Sequence, residues 1–326
     1  MKALLCTQFG GLNRLELKEV APPTPGPGQL RIAVKAASLN FPDALMVQGL
    51  YQIKPALPFS PGSEFSGLVV EVGSAVKRYR VGDRVIAFGL GGFAEQALAD
   101  AERCMPLPLG MDFEVGAALI LTYCTSLRGL KDRGRIQAGE TLLVLGAAGG
   151  VGAAAVEIGR ALGARVIACA SSEEKLAFCR ELGADETIDY TKEKLRDRVL
   201  ALTDGLGVDL VYDPVGGPLT EQALRATAWG GRLLVIGFAA GEIPKIALNL
   251  CLLKERALVG VYWGDSLKHD PASHERNVAQ LLAWIANGKI RPRISERVPL
   301  AAVPALMARM AARQIMGKAI VLPEAA

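Results

Sequence analysis

The chain has 326 residues, enough for two domains, and 51% of them are hydrophobic, which assures a sizeable core. No apolar run reaches the ~18 residues of a membrane span, and the Met1-Lys2-Ala3-Leu4-Leu5-Cys6 start is too short for a secretory signal. The net charge of +4 is dispersed along the chain, which argues against a nucleic-acid surface, and the six cysteines (6, 104, 124, 169, 179, 251) form no C-x-x-C pair, so they read as buried thiols of a cytoplasmic protein.

The N-terminal part reads as β-rich. Short apolar runs at Leu30 to Ala36, Gly67 to Val72 and Arg84 to Phe88 alternate with turn chemistry at Pro22 to Gly28, Pro58 to Gly62 and Val81-Gly82-Asp83. That pattern predicts an irregular antiparallel barrel, closed by Pro106 and Pro108. Residues 112 to 133 read as helical. From about 140 onward strands and helices alternate: strands at 141–145, 165–169, 209–213, 232–237 and 257–262, helices at 151–163, 173–182, 193–203 and 218–228. Such alternation predicts a doubly wound parallel sheet, so the fold class is α/β. A helix at Glu275 to Asn287 and two short strands, Arg297 to Pro299 and Lys318 to Leu322, close the chain and are expected to pack on its N-terminal part.

One run carries the functional signal. Thr141-Leu142-Leu143-Val144-Leu145 ends in Gly146-Ala147-Ala148-Gly149-Gly150-Val151-Gly152, and an alanine-rich helix follows. Glycines let the backbone turn sharply and approach a ligand, and a helix start offers unpaired N–H groups to a phosphate. Strand, glycine turn, helix and second strand in that order are the design of a dinucleotide site. The end of the second strand, where an NAD site places an acidic residue, holds Ala170-Ser171-Ser172, with Lys175 one turn on. Small hydroxyl residues and a cation suit a 2′-phosphate, so NADP is favoured over NAD. Glu173 and Glu174 oppose that reading by their charge, and Ser171 with Glu174 also fits a plain capping box.

These residues, together with Asn40-Phe41-Pro42-Asp43, Gly49-Leu50-Tyr51, Pro61-Gly62-Ser63-Glu64-Phe65-Ser66-Gly67, Val81-Gly82-Asp83-Arg84-Val85, Asp213-Pro214-Val215-Gly216-Gly217, Gly260-Val261-Tyr262-Trp263-Gly264 and Gly317-Lys318, resemble the zinc-free, zeta-crystallin-like quinone oxidoreductase branch of the medium-chain dehydrogenase/reductase superfamily. The resemblance implies a GroES-like catalytic domain of residues 1–122 and 264–326 and a Rossmann NADP-binding domain of residues 123–263, with the cofactor in the cleft between them. It implies cofactor contacts at Gly149, Gly150, Val151, Ser171, Lys175 and Tyr190, at the loops carrying Gly216, Phe238 and Trp263, and at Arg313 against the 2′-phosphate. Zinc-dependent relatives carry a cysteine near the place of Asn40 and a histidine where Ser63 stands, so no metal is expected here. The two histidines, His269 and His274, read as exposed loop residues.

Without a Lewis acid, the expected reaction is hydride transfer from NADPH to an acceptor already electrophilic, a quinone or an α,β-unsaturated carbonyl. By resemblance, Asn40 would position the cofactor ribose or donate to the carbonyl. Tyr51 would donate to the oxyanion or deliver a proton. Thr122 would touch the carboxamide or the substrate. The alternatives are turn former, core aromatic and helix cap respectively, and Asp43 reads as a turn residue. Other functions that fit are an enoyl-CoA reductase and a non-catalytic, crystallin-like NADPH-binding protein. The apolar strand Ala257 to Tyr262 at the sheet edge predicts a homodimer, and the remaining partner is a small-molecule quinone or enone.

Overall fold

The computed structural model describes residues 1 to 324. The chain divides into two compact units: Met1–Leu121 with the segment from Pro292 onward, and Thr122–Arg291.

The first unit opens with an antiparallel pair, β1 (Lys2–Cys6) and β2 (Leu15–Glu19). The spine of its main sheet is β3 (Gln29–Ser38), in which buried and half-exposed positions alternate from Gln29 to Ala36, the period of a strand with one face on the core. A helix, α1 (Phe41–Gln48), then leads through an extended segment to β4 (Glu64–Val72), β5 (Arg84–Phe88), β6 (Gln96–Asp100), β7 (Cys104–Pro106) and the short α2 (Phe113–Ala117). Strands β3, β4, β5 and β7 pair antiparallel in that order, and β6 also pairs with β3. The three strands read from sequence are present. Strands β1, β2, β6 and β7 were not expected: each is at most five residues long, and β2 and β6 carry polar residues in place of an apolar run.

The chain enters the second unit within the wide helical turns over Ile120–Cys124, which with those over Arg128–Arg133 flank one ordinary turn, α3 (Thr125–Leu127). Six strands and their crossover helices follow: β8 (Thr141–Val144), α4 (Gly150–Ala161), β9 (Arg165–Ala170), α5 (Glu173–Glu181), β10 (Glu186–Asp189), α6 (Leu195–Leu202), β11 (Val208–Asp213), α7 (Pro218–Arg225), β12 (Thr227–Val235), α8 (Asn249–Leu252) and β13 (Ala257–Gly260). The sheet order is β10-β9-β8-β11-β12-β13, every pair parallel. Residues Leu143, Ile167, Ile188, Val211 and Leu233 form its core against α6 and α7. The chain steps outward from β8 in one direction and, from β11, in the other. The strand order therefore reverses between β8 and β11, and open α/β sheets bind their ligands outside the carboxyl ends of the strands at such a switch point.

Two further helices, α9 (Trp263–His269) and α10 (Pro271–Ala286), stay with this unit. Ser273 Oγ and Asn277 Nδ2 of α10 donate to Asp132 Oδ2 (3.0 and 2.8 Å), and Lys131 Nζ donates to Gln280 Oε1 (2.6 Å). Residues 264 to 291, expected in the first domain, thus lie with the second unit, held by polar pairs that no local pattern announces. Residues 325 and 326 of the expected 264–326 segment lie outside the described residues.

The chain returns to the first unit with β14 (Ile294–Pro299), α11 (Val303–Ala311) and β15 (Lys318–Leu322). Strand β15 pairs antiparallel with β3 and parallel with β14. The sheet is therefore mixed and not wholly antiparallel as expected, because α11 supplies the crossover that a parallel pair needs. Val321 and Met307 join Leu30, Val34, Phe65 and Val85 in one core, so the two chain ends build a single unit.

Candidate active site

The glycine turn follows β8 at the switch point. Gly146 adopts φ +57, a left-handed conformation open to glycine, and its carbonyl accepts from Gly149 N–H at 3.0 Å. A Cβ on Gly152 would stand 2.2 Å from Gly146 O, so the first turn of α4 can lie this close to the loop only with hydrogen at that position. Gly149 is the N-cap of α4 and no side chain caps the helix, an arrangement of the Gly150 and Val151 N–H groups that would suit a phosphate cradle. Ser126 Oγ donates to Val151 O (3.0 Å) and lies 2.9 Å from Tyr212 Oη, which ties the cradle to the body of the unit.

Beside it, β9 ends at Ala170. The N-cap of α5 is Ser172, whose Oγ accepts from Lys175 N–H, and not Ser171 as the capping-box alternative held. Ser171 is thereby released from capping, and its Oγ accepts from Lys175 Nζ at 3.3 Å. Tyr190 N–H donates to Ala170 O (3.3 Å), so Ser171, Lys175 and Tyr190 gather at one strand end. Glu173, the nearer objection to a 2′-phosphate, is paired with Arg180 on the same helix.

After β11 the loop is organised by Asp213. Its Oδ1 accepts from the N–H groups of Val215 (2.8 Å) and Gly216 (2.9 Å), and its Oδ2 accepts from Thr220 Oγ1 (2.6 Å). Gly216 has φ +71, and a Cβ there would meet the Phe238 ring at 2.9 Å, so these two expected contacts adjoin. Trp263 opens α9, buried, with its ring 5.8 Å from that of His274. His274 is therefore a helix residue packed on an indole, correcting the exposed-loop expectation, and burial holds its imidazole below the usual pKa. His269 is exposed, at the end of α9.

In the first unit, Asn40 is the N-cap of α1 and is buried. Its amide nitrogen donates to Ser38 O (3.2 Å) and Glu64 Oε2 (3.0 Å), and its Oδ1 accepts from Lys318 Nζ (2.6 Å). Both amide hydrogens of Asn40 are thus engaged within this unit. Asp43, fully buried, accepts from Asn40 N–H (2.8 Å), Ser63 N–H (3.0 Å) and Ser63 Oγ (2.5 Å). Burial pushes the Asp43 carboxyl up to about 6, against the opposing pull of those hydrogen bonds and of the Lys318 charge. Tyr51 follows the C-cap Gly49 and is half-buried against the first unit's core. Thr122 lies inside the wide turns Ile120–Cys124 and is buried, so it is no helix cap. Arg313 is exposed at the end of α11 with φ +59, its N–H bonded to Met310 O. Sequence reading missed Asp213, Glu64 and Lys318 as organisers, although each stands in a motif it singled out.

Residues 26–109 match the alcohol dehydrogenase GroES-like domain and residues 150–286 match the zinc-binding dehydrogenase domain. The chain is 40% identical to a quinone oxidoreductase-like protein 2 homolog of Nematostella vectensis, covering 98% of this chain and 88% of that one. It is 37% identical to a quinone oxidoreductase of Pseudomonas aeruginosa, covering 99% of each. The chain belongs to the quinone oxidoreductase family of the medium-chain dehydrogenase/reductase superfamily. A solved member, the quinone oxidoreductase of Escherichia coli complexed with NADPH, superposes with a TM-score of 0.93 at 27% identity, covering 99% of this chain and 100% of that one. The first unit carries the GroES-like domain and the second the Rossmann-type sheet.

One of those domain descriptions implies zinc, and the donors in this member of the family do not fit it. Around Asn40 and Ser63 stand an amide, a hydroxyl and two carboxylates, with no thiolate or imidazole among them. The Lys318 ammonium already occupies the cationic place between Asn40 and Glu64. Among the described residues no group of three histidine, cysteine or acidic side chains is arranged to hold a metal ion.

Proposed function

We propose that the protein is a zinc-independent oxidoreductase that transfers hydride from NADPH to a quinone or an α,β-unsaturated carbonyl. The observation that carries this reading is the Ser171–Lys175 pair. A hydroxyl and an ammonium 3.3 Å apart stand beside the glycine cradle, where a 2′-hydroxyl reader would carry an acidic side chain. When bound, NADPH supplies the hydride from its dihydronicotinamide ring. The N–H groups of Gly150 and Val151 hold the pyrophosphate, with the bare Gly149 backbone allowing its close approach, and Ser171, Lys175 and Arg313 recognise the 2′-phosphate. Tyr190, Gly216, Phe238 and Trp263 complete the coenzyme contacts. Asn40 orients a ribose hydroxyl, Thr122 meets the carboxamide or the substrate, and Tyr51 donates to the oxyanion that develops on the acceptor. An acceptor of this class needs stabilisation of one oxygen and no metal-bound alkoxide.

Homodimerisation through β13 belongs to the same reading. That strand is bonded to β12 on one side, is largely exposed, and ends the sheet. A cytoplasmic location is supported by six free cysteines, five of them buried. No helix among the described residues is long and apolar enough to cross a membrane.

Steady-state NADPH consumption with a p-quinone, a short enone and a short enoyl-CoA tests the substrate class. Turnover with the first or second and not the third is expected. Turnover confined to the enoyl-CoA would replace the reading with a thioester reductase. Tight NADPH binding with no turnover on any acceptor would leave a non-catalytic binding protein.

A further inference from the structure

Asp213 closes β11 and is 2% exposed. Among the described residues no cation pairs with it, and burying an acid that way is tolerable only if donors reach it. Those donors are the N–H groups of Val215 and Gly216 and the Thr220 hydroxyl. The two residues held by their N–H groups are the two that touch the neighbouring loops. Val215 Cγ2 stands 2.9 Å from the point a Cβ on Gly146 would take, so it packs on the glycine turn after β8. Gly216 lies against the Phe238 ring, in the loop after β12. That loop is bonded to the one after β11 at three places. Ala239 N–H donates to Pro214 O (3.1 Å), Ala240 N–H to Val215 O (2.8 Å) and Gly217 N–H to Glu242 O (3.1 Å). The Asp213 backbone carbonyl accepts from Ile236 N–H (3.0 Å), just past β12. Strand β11 lies between β8 and β12, so one side chain at its end stands in the middle of three adjoining loops, all within the second unit.

We propose that Asp213 is a positioning residue: by holding Val215 and Gly216 it sets the loops after β8, β11 and β12 as one preformed rim for the coenzyme. The coenzyme part rests on the NADPH reading; the coupling of the loops does not. Were Asp213 only a remote cap for α7 through Thr220, its loss would lower the Tm and leave the loop after β12 and the coenzyme affinity alone, as a truncation in the core of this unit does. An asparagine can take over its bonds, since Oδ1 accepts from both N–H groups and Nδ2 donates to Thr220 Oγ1. An alanine leaves both N–H groups without that acceptor.

The test compares Asp213→Ala, Asp213→Asn and Thr220→Val, with Val199→Ala in α6 as a core truncation that touches none of these bonds. Amide hydrogen exchange is read without coenzyme at Ala239 and Ala240, whose N–H groups the Asp213 side chain does not touch. It is expected to be about ten-fold faster or more in Asp213→Ala and within about two-fold of the wild type in Asp213→Asn, because exchange reports local opening of the loop pair. The Kd for NADPH is expected to rise about ten-fold in Asp213→Ala and to stay within about two-fold in Asp213→Asn and Val199→Ala. Thr220→Val keeps the two N–H bonds and is expected to raise both exchange and Kd about three-fold. A folded Asp213→Ala with unchanged exchange at Ala239 and Ala240 would overturn the coupling; if that variant does not fold, unchanged exchange and affinity in Thr220→Val overturns it. Faster exchange with unchanged NADPH affinity overturns the coenzyme role of the rim. Asparagine as damaging as alanine overturns the assignment to hydrogen-bond acceptance. Faster exchange in a protein whose wild type binds no NADPH upholds the coupling and overturns the cofactor reading beneath it.

Discussion

In the proposed reading, Lys175 carries the cofactor preference and Asp43 the pH response. Lys175 reaches Ser171 rather than solvent alone, and a charge-assisted bond to phosphate contributes about 1.5–3 kcal/mol. Lys175→Ala is therefore expected to weaken NADPH about ten-fold or more and NADH by less than about two-fold, measured by fluorescence titration. Equal losses would mean that Lys175 does not read the 2′-phosphate. Asp43 is the other case. Its folded-state pKa of about 6 stands above the ordinary aspartate value, so the folded protein holds a proton there that the unfolded chain has released. Stability is therefore lost as pH rises through about 6 and regained as it falls toward 5. Thermal unfolding should show the wild type gaining on Asp43→Asn between pH 7 and pH 5; a constant difference would mean that Asp43 does not titrate in that window. At this scale the sequence was legible where chemistry is local. Ser171 and Lys175 are one helical turn apart, so their pairing could be read, although the cap proved to be one residue later, at Ser172. The partners of Asn40 could not be read, because Lys318 belongs to the far end of the chain and a lone lysine or glutamate in a sequence looks like solvated surface.

Among the elements, the β8–α4 turn separates folding from binding. A methyl on Gly152 meets Gly146 O at 2.2 Å, whereas one on Gly149 meets only Gly146 O at 3.4 Å, an ordinary contact. Gly152→Ala is expected to cost about 1–3 kcal/mol of stability, read as a lowered Tm, because the helix must move off the turn. Gly149→Ala is expected to keep its Tm within a few degrees yet lose about ten-fold or more in NADPH affinity, since its methyl lies where the pyrophosphate would approach. If both variants bound NADPH normally, the loop would not be the cradle. The alternation of the second unit was legible because each parallel strand is buried on both faces and reads as an apolar run, as in Val166-Ile167-Ala168-Cys169-Ala170. Strand β10 escaped because Glu186-Thr187-Ile188-Asp189 has one apolar residue and lies at an edge, where only Ile188 faces the core. Helix α9 escaped because its seven residues are too few to show a period.

For the whole molecule, the expectations concern assembly and chemistry. If β13 pairs across a two-fold axis, sedimentation should give a dimer, and Leu258→Lys, which places a charge on that edge at a residue 38% exposed, should give a monomer. A monomeric wild type would remove the dimer from the account. The return of the C-terminal strands to the first unit was legible from two short apolar runs, whereas the place where the chain leaves the second unit was not. It depends on Asp132 and Lys131 binding α10 from more than a hundred residues away in the sequence. The central claim is that hydride passes from NADPH to an electrophilic acceptor without a metal. The measurement that tests it most directly is p-quinone reduction by enzyme dialysed against a strong chelator, run with NADPH and with coenzyme deuterated at the transferred C4 position. Turnover undiminished by chelation, and slowed by deuterium where the hydride step limits the rate, is the expected result. Activity that disappears on chelation and returns with Zn²⁺ would contradict the account.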